Sequence, residues 1–115
     1  MQYLLLIYGN EAAMLAESTE TAAKMMAAYA GFTETMKKAG VYVGSNRLRP
    51  TASAMTVRAP NGKTTMVDGP FAETKEQLGG YYMIEAPDLN AALAWAARCP
   101  GALHGAIEVR PIWAT

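Results

Sequence analysis

Val67-Asp68-Gly69-Pro70-Phe71-Ala72-Glu73-Thr74-Lys75-Glu76-Gln77-Leu78-Gly79-Gly80 is the stretch on which the reading of the chain turns. Asp68 offers a side-chain acceptor to nearby backbone N–H groups, Gly69 tolerates positive φ, and Pro70 fixes its own φ, so the segment reads as a stiff turn. Glu73, Lys75 and Glu76 follow as a small charged cluster. Gly79-Gly80 reads as a flexible exit into the apolar run Tyr81-Tyr82-Met83-Ile84.

Upstream, Ala54 to Arg58 and Thr64 to Val67 flank Pro60-Asn61-Gly62, and Asn-Gly between two such runs predicts a β-hairpin. Val41-Tyr42-Val43 opens a strand running toward Arg47-Leu48-Arg49, where Pro50 interrupts it. Before it, Ser18-Thr19 are N-cap residues, Glu20 suits the helix dipole, and Lys37, Lys38 and Gly40 close a helix. Ala22, Met25, Met26, Tyr29, Phe32, Thr33 and Met36 fall on its apolar stripe and read as core. Tyr3 to Tyr8 is a first strand with apolar residues on both sides.

Downstream, residues 80–86 form a further strand and Asp88 caps a second helix, with Leu89, Ala92, Leu93 and Ala96 expected inside and Trp95 at the edge of that stripe. Cys99-Pro100-Gly101 ends that helix. Residues 106–113 form the last strand, which Pro111 assigns to a sheet edge or strand end. Setting the hairpin aside, the order is βαββαβ, an α+β plan with an antiparallel sheet carrying both helices on one face. The other face, populated by Leu and Ile of the first strand, needs a cover. A second copy packed through a two-fold axis supplies one and encloses a cleft between the sheets, so a homodimer is expected.

At 115 residues, 51% hydrophobic and with a formal net charge of zero, the chain reads as one domain over residues 1–115. Arg47, Arg49 and Arg58 are its nearest approach to a basic group and read as a solvated strand end, so no nucleic-acid partner is expected. The apolar residues 1–8 lack a basic lead and reach Gly9-Asn10 too soon to span a bilayer, so no membrane association is expected. One cysteine excludes an internal disulfide, and with one histidine there is no zinc cluster, which points to a cytosolic setting with no metal or cofactor.

Met1 to Tyr8 ending in a Tyr-Gly step, Asp68-Gly69-Pro70-Phe71 continuing through Glu73, Lys75, Glu76, Leu78, Gly79 and Gly80, Pro87-Asp88-Leu89, and residues 107–111 together resemble the YCII-related family in its DGPF-domain branch. The resemblance covers essentially the whole chain. It implies a ferredoxin-like fold that dimerises as an α/β barrel, akin to muconolactone isomerase, and no established activity. It also implies an enzymatic role resting on a histidine and an aspartate, carried here onto His104 and Asp68. Some relatives carry the domain fused to a sigma-type transcription factor.

Asp68 can then act as a general base or hold the His104 imidazole, or serve the turn alone. Arg110 and Glu108 share one face of the last strand, where Arg110 suits a carboxylate and Glu108 a proton or an ion pair. Glu73 and Lys75 gain interest through their nearness to Asp68, and Tyr8, Tyr81 and Tyr82 as strand aromatics that either line a pocket or serve the core. Two readings stay open: a cofactor-independent enzyme moving a proton on a small organic molecule in the cleft between the dimer's sheets, and a non-catalytic dimeric module that binds a ligand or protein in a regulatory, transcription-related role.

Overall fold

A computed structural model describes residues 1–114. Its elements are β1 (Gln2–Gly9), α1 (Glu11–Leu15), α2 (Thr19–Lys38), β2 (Tyr42–Arg47), β3 (Met55–Arg58), β4 (Thr65–Asp68), β5 (Gln77–Glu85), α3 (Leu89–Arg98) and β6 (Ala106–Pro111). Four strands form an antiparallel sheet in the order β2-β5-β1-β6, and β3 with β4 forms a separate ribbon. That is the ferredoxin-like α+β order with a hairpin inserted between its second and third strands.

The helix ends follow from their capping residues. Ser18 accepts a hydrogen bond from the Thr21 amide at 3.1 Å, and Asp88 accepts one from the Ala91 amide at 2.8 Å. At the far end of α2, Gly40 sits at φ +74°, its amide donates to the Lys37 carbonyl, and the Val41 amide donates to the Met36 carbonyl. This paired pattern is a Schellman stop, and it needs a residue that accepts positive φ. The short α1 precedes α2 and was not apparent from the sequence, since its five residues bury nothing.

The core lies between α2, α3 and one face of the sheet. Tyr3 and Leu5 of β1, Tyr82 and Ile84 of β5, and Phe32 and Met36 of α2 form it with Ala86, Ala92, Ala96 and Cys99. Phe32 meets Tyr82 edge to face, with ring centroids 5.4 Å apart. Two expectations fail here. Leu89 and Leu93 are each 46% exposed, whereas Ala92 and Ala96 are buried and Trp95 packs on Phe32. The small alanines let the α3 backbone approach the sheet, which turns the larger leucines toward solvent. In α2 only the C-terminal half of the stripe is core, because Ala22 and Met26 at the other end are exposed.

Residues Gln77–Glu85 form one strand, so Gly79-Gly80 is not a flexible exit. Ile7 pairs with Gly80 and Tyr8 with Leu78, which leaves Gly79 as the extra residue of a bulge. The ribbon makes no substantial contact with the helices or the main sheet. Asn61 and Gly62, both at positive φ, form its turn, and one of its faces exposes Met55, Val57 and Met66.

Candidate functional site

Side chains directly opposite one another across a sheet share a face, so Arg47, Gly80 and Ile7 form one row on the helix side. In the neighbouring row Tyr82 fills the same position with a ring. Gly80 has no side chain, and the floor of the sheet is bare beneath the N-terminal half of α2. A cavity of about 370 Å³ results, walled by Met25, Met26 and Tyr29 from α2 and by Met14 and Leu15 from α1. Gly80 is held to glycine by its neighbours, since a Cβ there would lie 2.8 Å from the Asn46 carbonyl oxygen.

His104 lines this cavity at the end of β1. It follows the turn Pro100–Leu103, and its position is set by Gly105, where a Cβ would meet the Tyr8 carbonyl oxygen at 2.1 Å. Only glycine lets that turn press so closely on β1. Gly101 makes a second close approach, since a Cβ there would come within 2.6 Å of the Tyr29 hydroxyl. Burial pushes the Tyr29 hydroxyl well above the ordinary phenol range, with the nearby Cys99 thiol adding to the effect. Burial likewise pushes up the Tyr82 hydroxyl, against the hydrogen bond it shares with Thr33, and the Cys99 thiol. These three groups stay protonated and neutral, so the Tyr29 and Tyr82 side of the cavity, with Cys99 in the core behind it, carries no charge.

The mouth is polar. The Glu11 carboxylate accepts the Thr51 amide at 2.6 Å and the Thr51 hydroxyl at 2.5 Å, and the Glu11 amide donates to Gln77 Oε1 at 2.9 Å. Three chain segments meet there: the start of α1, the root of the ribbon and the start of β5. Arg47 reaches across the opening, with Nη1 3.4 Å from Met26 Sδ.

Of the site candidates singled out in the sequence, His104, Tyr81 and Tyr82 line this cavity, and Asp68, Glu73, Lys75, Tyr8, Glu108 and Arg110 do not. Asp68 is the last residue of β4, exposed, and paired through its backbone with Met55; its side chain makes no hydrogen bond or ion pair among the described residues. The turn after it is made by Gly69 at φ +109°, whose amide donates to the Ala54 carbonyl at 2.7 Å. Within one chain no hydrogen bond or ion pair joins Asp68 to His104 among the described residues, and Asp68 does not line the cavity. Glu73 and Lys75 are exposed in the connection after the ribbon. Tyr8 stands on the opposite face of the sheet. Glu108 and Arg110 share that face and form an exposed ion pair at 3.8 Å.

Arg47, Glu11 and Gly80 were not read from the sequence as parts of a site. The available signal was the Gly79-Gly80 pair, two glycines inside a strand between Leu78 and Tyr81. Among the described residues, no three His, Cys, Asp or Glu side chains gather to hold a metal ion, and no helix is long and apolar enough to cross a membrane.

Sheet order, helix placement and cavity define an α+β protein with a four-stranded antiparallel sheet of ferredoxin-like order and a hollow the size of a small organic molecule beneath its longer helix. The chain belongs to the YCII-related family, whose profile matches residues 1–115. It is 39% identical over 114 residues to the uncharacterized protein R00369 of Rhizobium meliloti (strain 1021), a match covering 97% of this chain and 92% of the relative. Among solved structures it is similar to the 5-chloro-2-hydroxyhydroquinone dehydrochlorinase TftG from Burkholderia phenoliruptrix AC1100, in complex with 2,5-dihydroxybenzoquinone. That likeness has a TM-score of 0.55 at 15% identity, over 98% of this chain and 94% of the other, and it establishes the fold.

Proposed function

We propose that this chain is a small cofactor-independent enzyme that moves a proton on a small organic molecule held in the cavity on the helix side of the sheet. The observation that carries the reading is the placement of His104, the chain's one histidine and an exposed residue, at the edge of a hollow that is otherwise mostly apolar. His104 takes a proton from an acidic O–H or C–H of the bound molecule and returns it at another atom, so the imidazole ends each cycle as it began. The TftG likeness supports a hydroxylated ring as the first molecule to try. Asp68 enters this reading only if the ribbon of a second copy brings it to the imidazole. The separation of Asp68 from His104 within one chain favours, to that extent, a non-catalytic ligand-binding module as the second reading.

The chain acts as a homodimer in this proposal. Leu4 and Leu6 of β1 with Tyr81 and Met83 of β5 form a half-exposed apolar stripe on the face away from the helices. A second copy would cover it, and the ribbon's exposed Met55, Val57 and Met66 add apolar surface for the same partner.

The test is an NMR titration with 2,5-dihydroxybenzoquinone, following the His104 ring and the backbone amides. Shifts are expected at His104, Ile7 and Gly80. Perturbation confined to Leu4, Leu6 and Met83 would move the site to the open face, and an unmoved His104 resonance would end its role. The His104 pKa in the wild type and in Asp68→Asn separates the two treatments of Asp68: a fall on substitution requires the carboxylate to sit beside the imidazole in the assembled protein.

A further inference from the structure

The cavity wall contains few polar groups that are free to meet a ligand. Ser45 is engaged with the Tyr42 hydroxyl at 2.8 Å, and Asn46 donates to the Tyr81 hydroxyl at 2.8 Å. Gln77 donates to the Thr74 carbonyl and accepts from the Glu11 amide, while both Glu11 oxygens are taken by Thr51. Deeper in, Tyr82 is bonded to Thr33, and the Tyr29 hydroxyl lies near the Cys99 thiol in a setting whose burial keeps it neutral.

Arg47 and Arg49 at the rim differ. The ion pairs among the described residues are Met1 with Glu85, Lys24 with Glu20 and Arg110 with Glu108, so neither arginine has a carboxylate partner. The single acceptor near Arg47 is the Met26 thioether, a weak one. Glu17, also at the rim, makes no ion pair, but it lies in the turn between α1 and α2, whereas Arg47 shares its sheet row with the bare Gly80 floor. A guanidinium presents five donors in a planar fork that matches a carboxylate. The unmet groups nearest the floor are therefore donors, and an acceptor-rich negative group is what they lack.

Resting on the reading of this cavity as the functional site, we propose that its ligand is a small aromatic carboxylate, with Arg47 as the residue that selects for the charge. The carboxylate lies on the Arg47 fork at the outer edge of the sheet. The ring lies over Gly80, between Ile7 and the Met25, Met26 and Tyr29 side of α2. The far end of the ring points to His104. Thus one end of the ligand is fixed by charge and the other faces the titratable group.

The experiment compares 4-hydroxybenzoate with its neutral isostere 4-hydroxybenzamide, by NMR titration of the intact chain at neutral pH and low salt. Wild-type protein is expected to bind the carboxylate more tightly by about tenfold or more, the scale of one charge-assisted pair. Arg47→Gln should bring the two compounds to equal affinity with the amide spectrum otherwise intact. Arg58→Gln, on the ribbon and outside the cavity wall, should leave the preference in place. Equal affinity in the wild type, or an undiminished preference in Arg47→Gln, overturns the anion assignment while leaving the cavity as the site. Failure of both compounds to shift any cavity resonance overturns the cavity reading together with it.

Discussion

Alkaline titration tests the packing of the cavity's deep wall. Tyr29, Tyr82 and Cys99 are each pushed above their ordinary values, chiefly by burial. In the unfolded chain a thiol ionises near pH 8.5 and a phenol near pH 10, so above those values the unfolded state binds fewer protons than the folded one. Stability from these groups is fully present below about pH 8.5 and is lost as pH rises through their raised folded values. Each retained proton contributes a slope of about 1.4 kcal/mol per pH unit. Tyr29 is partly open to solvent, and screening discounts its share. Each group adds that slope only between its unfolded and its raised folded value, so the decline begins near pH 8.5 with Cys99 and steepens above about pH 10 as the phenols join. The assay is urea unfolding by circular dichroism at stepped pH, with tyrosinate absorbance recorded in parallel. Of the six tyrosines, Tyr29 and Tyr82 should ionise only with loss of the helical signal, and Tyr29→Phe should flatten the slope above pH 10 by about one proton. A urea midpoint constant across this range, or all six ionising together in the folded protein, would refute the reasoning.

Gly105→Ala is expected to destabilise by at least about 3 kcal/mol, because its Cβ would fall 2.1 Å from a backbone oxygen and one of two packed segments must shift; thermal unfolding reads this. Gly31→Ala should do the reverse: Gly31 is exposed within α2 with nothing near its would-be Cβ, so a gain of about 0.5–1 kcal/mol is expected in the same assay. Thr51→Val removes one of the two hydrogen bonds to the Glu11 carboxylate and should cost about 1 kcal/mol, with faster hydrogen exchange confined to α1 and the ribbon root. Unchanged exchange at residues 11–15 would show that Glu11 does not fasten α1.

Much of the fold was legible because its signals are local. The caps at Ser18 and Asp88, the stop at Gly40 and the Asn61-Gly62 turn each act within a few residues, and each appears where those residue types require it. The site was less legible because it is set by a missing side chain. Gly80 reads in sequence as a break, yet in the sheet it is a floor, and that meaning comes from Arg47 and Ile7, which are remote in the chain and adjacent in the row. The same gap explains the N-terminal half of the α2 stripe, where the sheet offers no side chain at Gly80, so Met25 and Met26 wall a cavity and Met26 meets the Arg47 guanidinium. His104 could be singled out as the one imidazole, but its place depends on how tightly Gly105 presses on β1. Asp68 had both turn chemistry and a resemblance in its favour, and no local signal distinguishes a carboxylate on a free ribbon from one aimed into a cleft.

The two faces of the sheet make association and ligand binding separable. Leu6 points away from the helices, flanked across the sheet by Tyr81 on one side and Glu108 on the other. In a lone chain Leu6→Lys leaves the new ammonium half exposed and opposite a carboxylate, a change that should cost the monomer less than about 1 kcal/mol. In a face-to-face dimer the same lysine meets its symmetry copy while Glu108 is already held by Arg110, and burying the added charge costs several kcal/mol per site. A dimer of micromolar or weaker dissociation constant, held by about 8 kcal/mol, should then fall to monomers at working concentration. Sedimentation would show the mass of one chain for Leu6→Lys and of two for the wild type. The 4-hydroxybenzoate titration of His104 should survive the substitution, since the cavity lies across the sheet from Leu6. If binding disappears with the dimer, the second copy completes the site, and the ribbon carrying Asp68 is the segment to place beside His104.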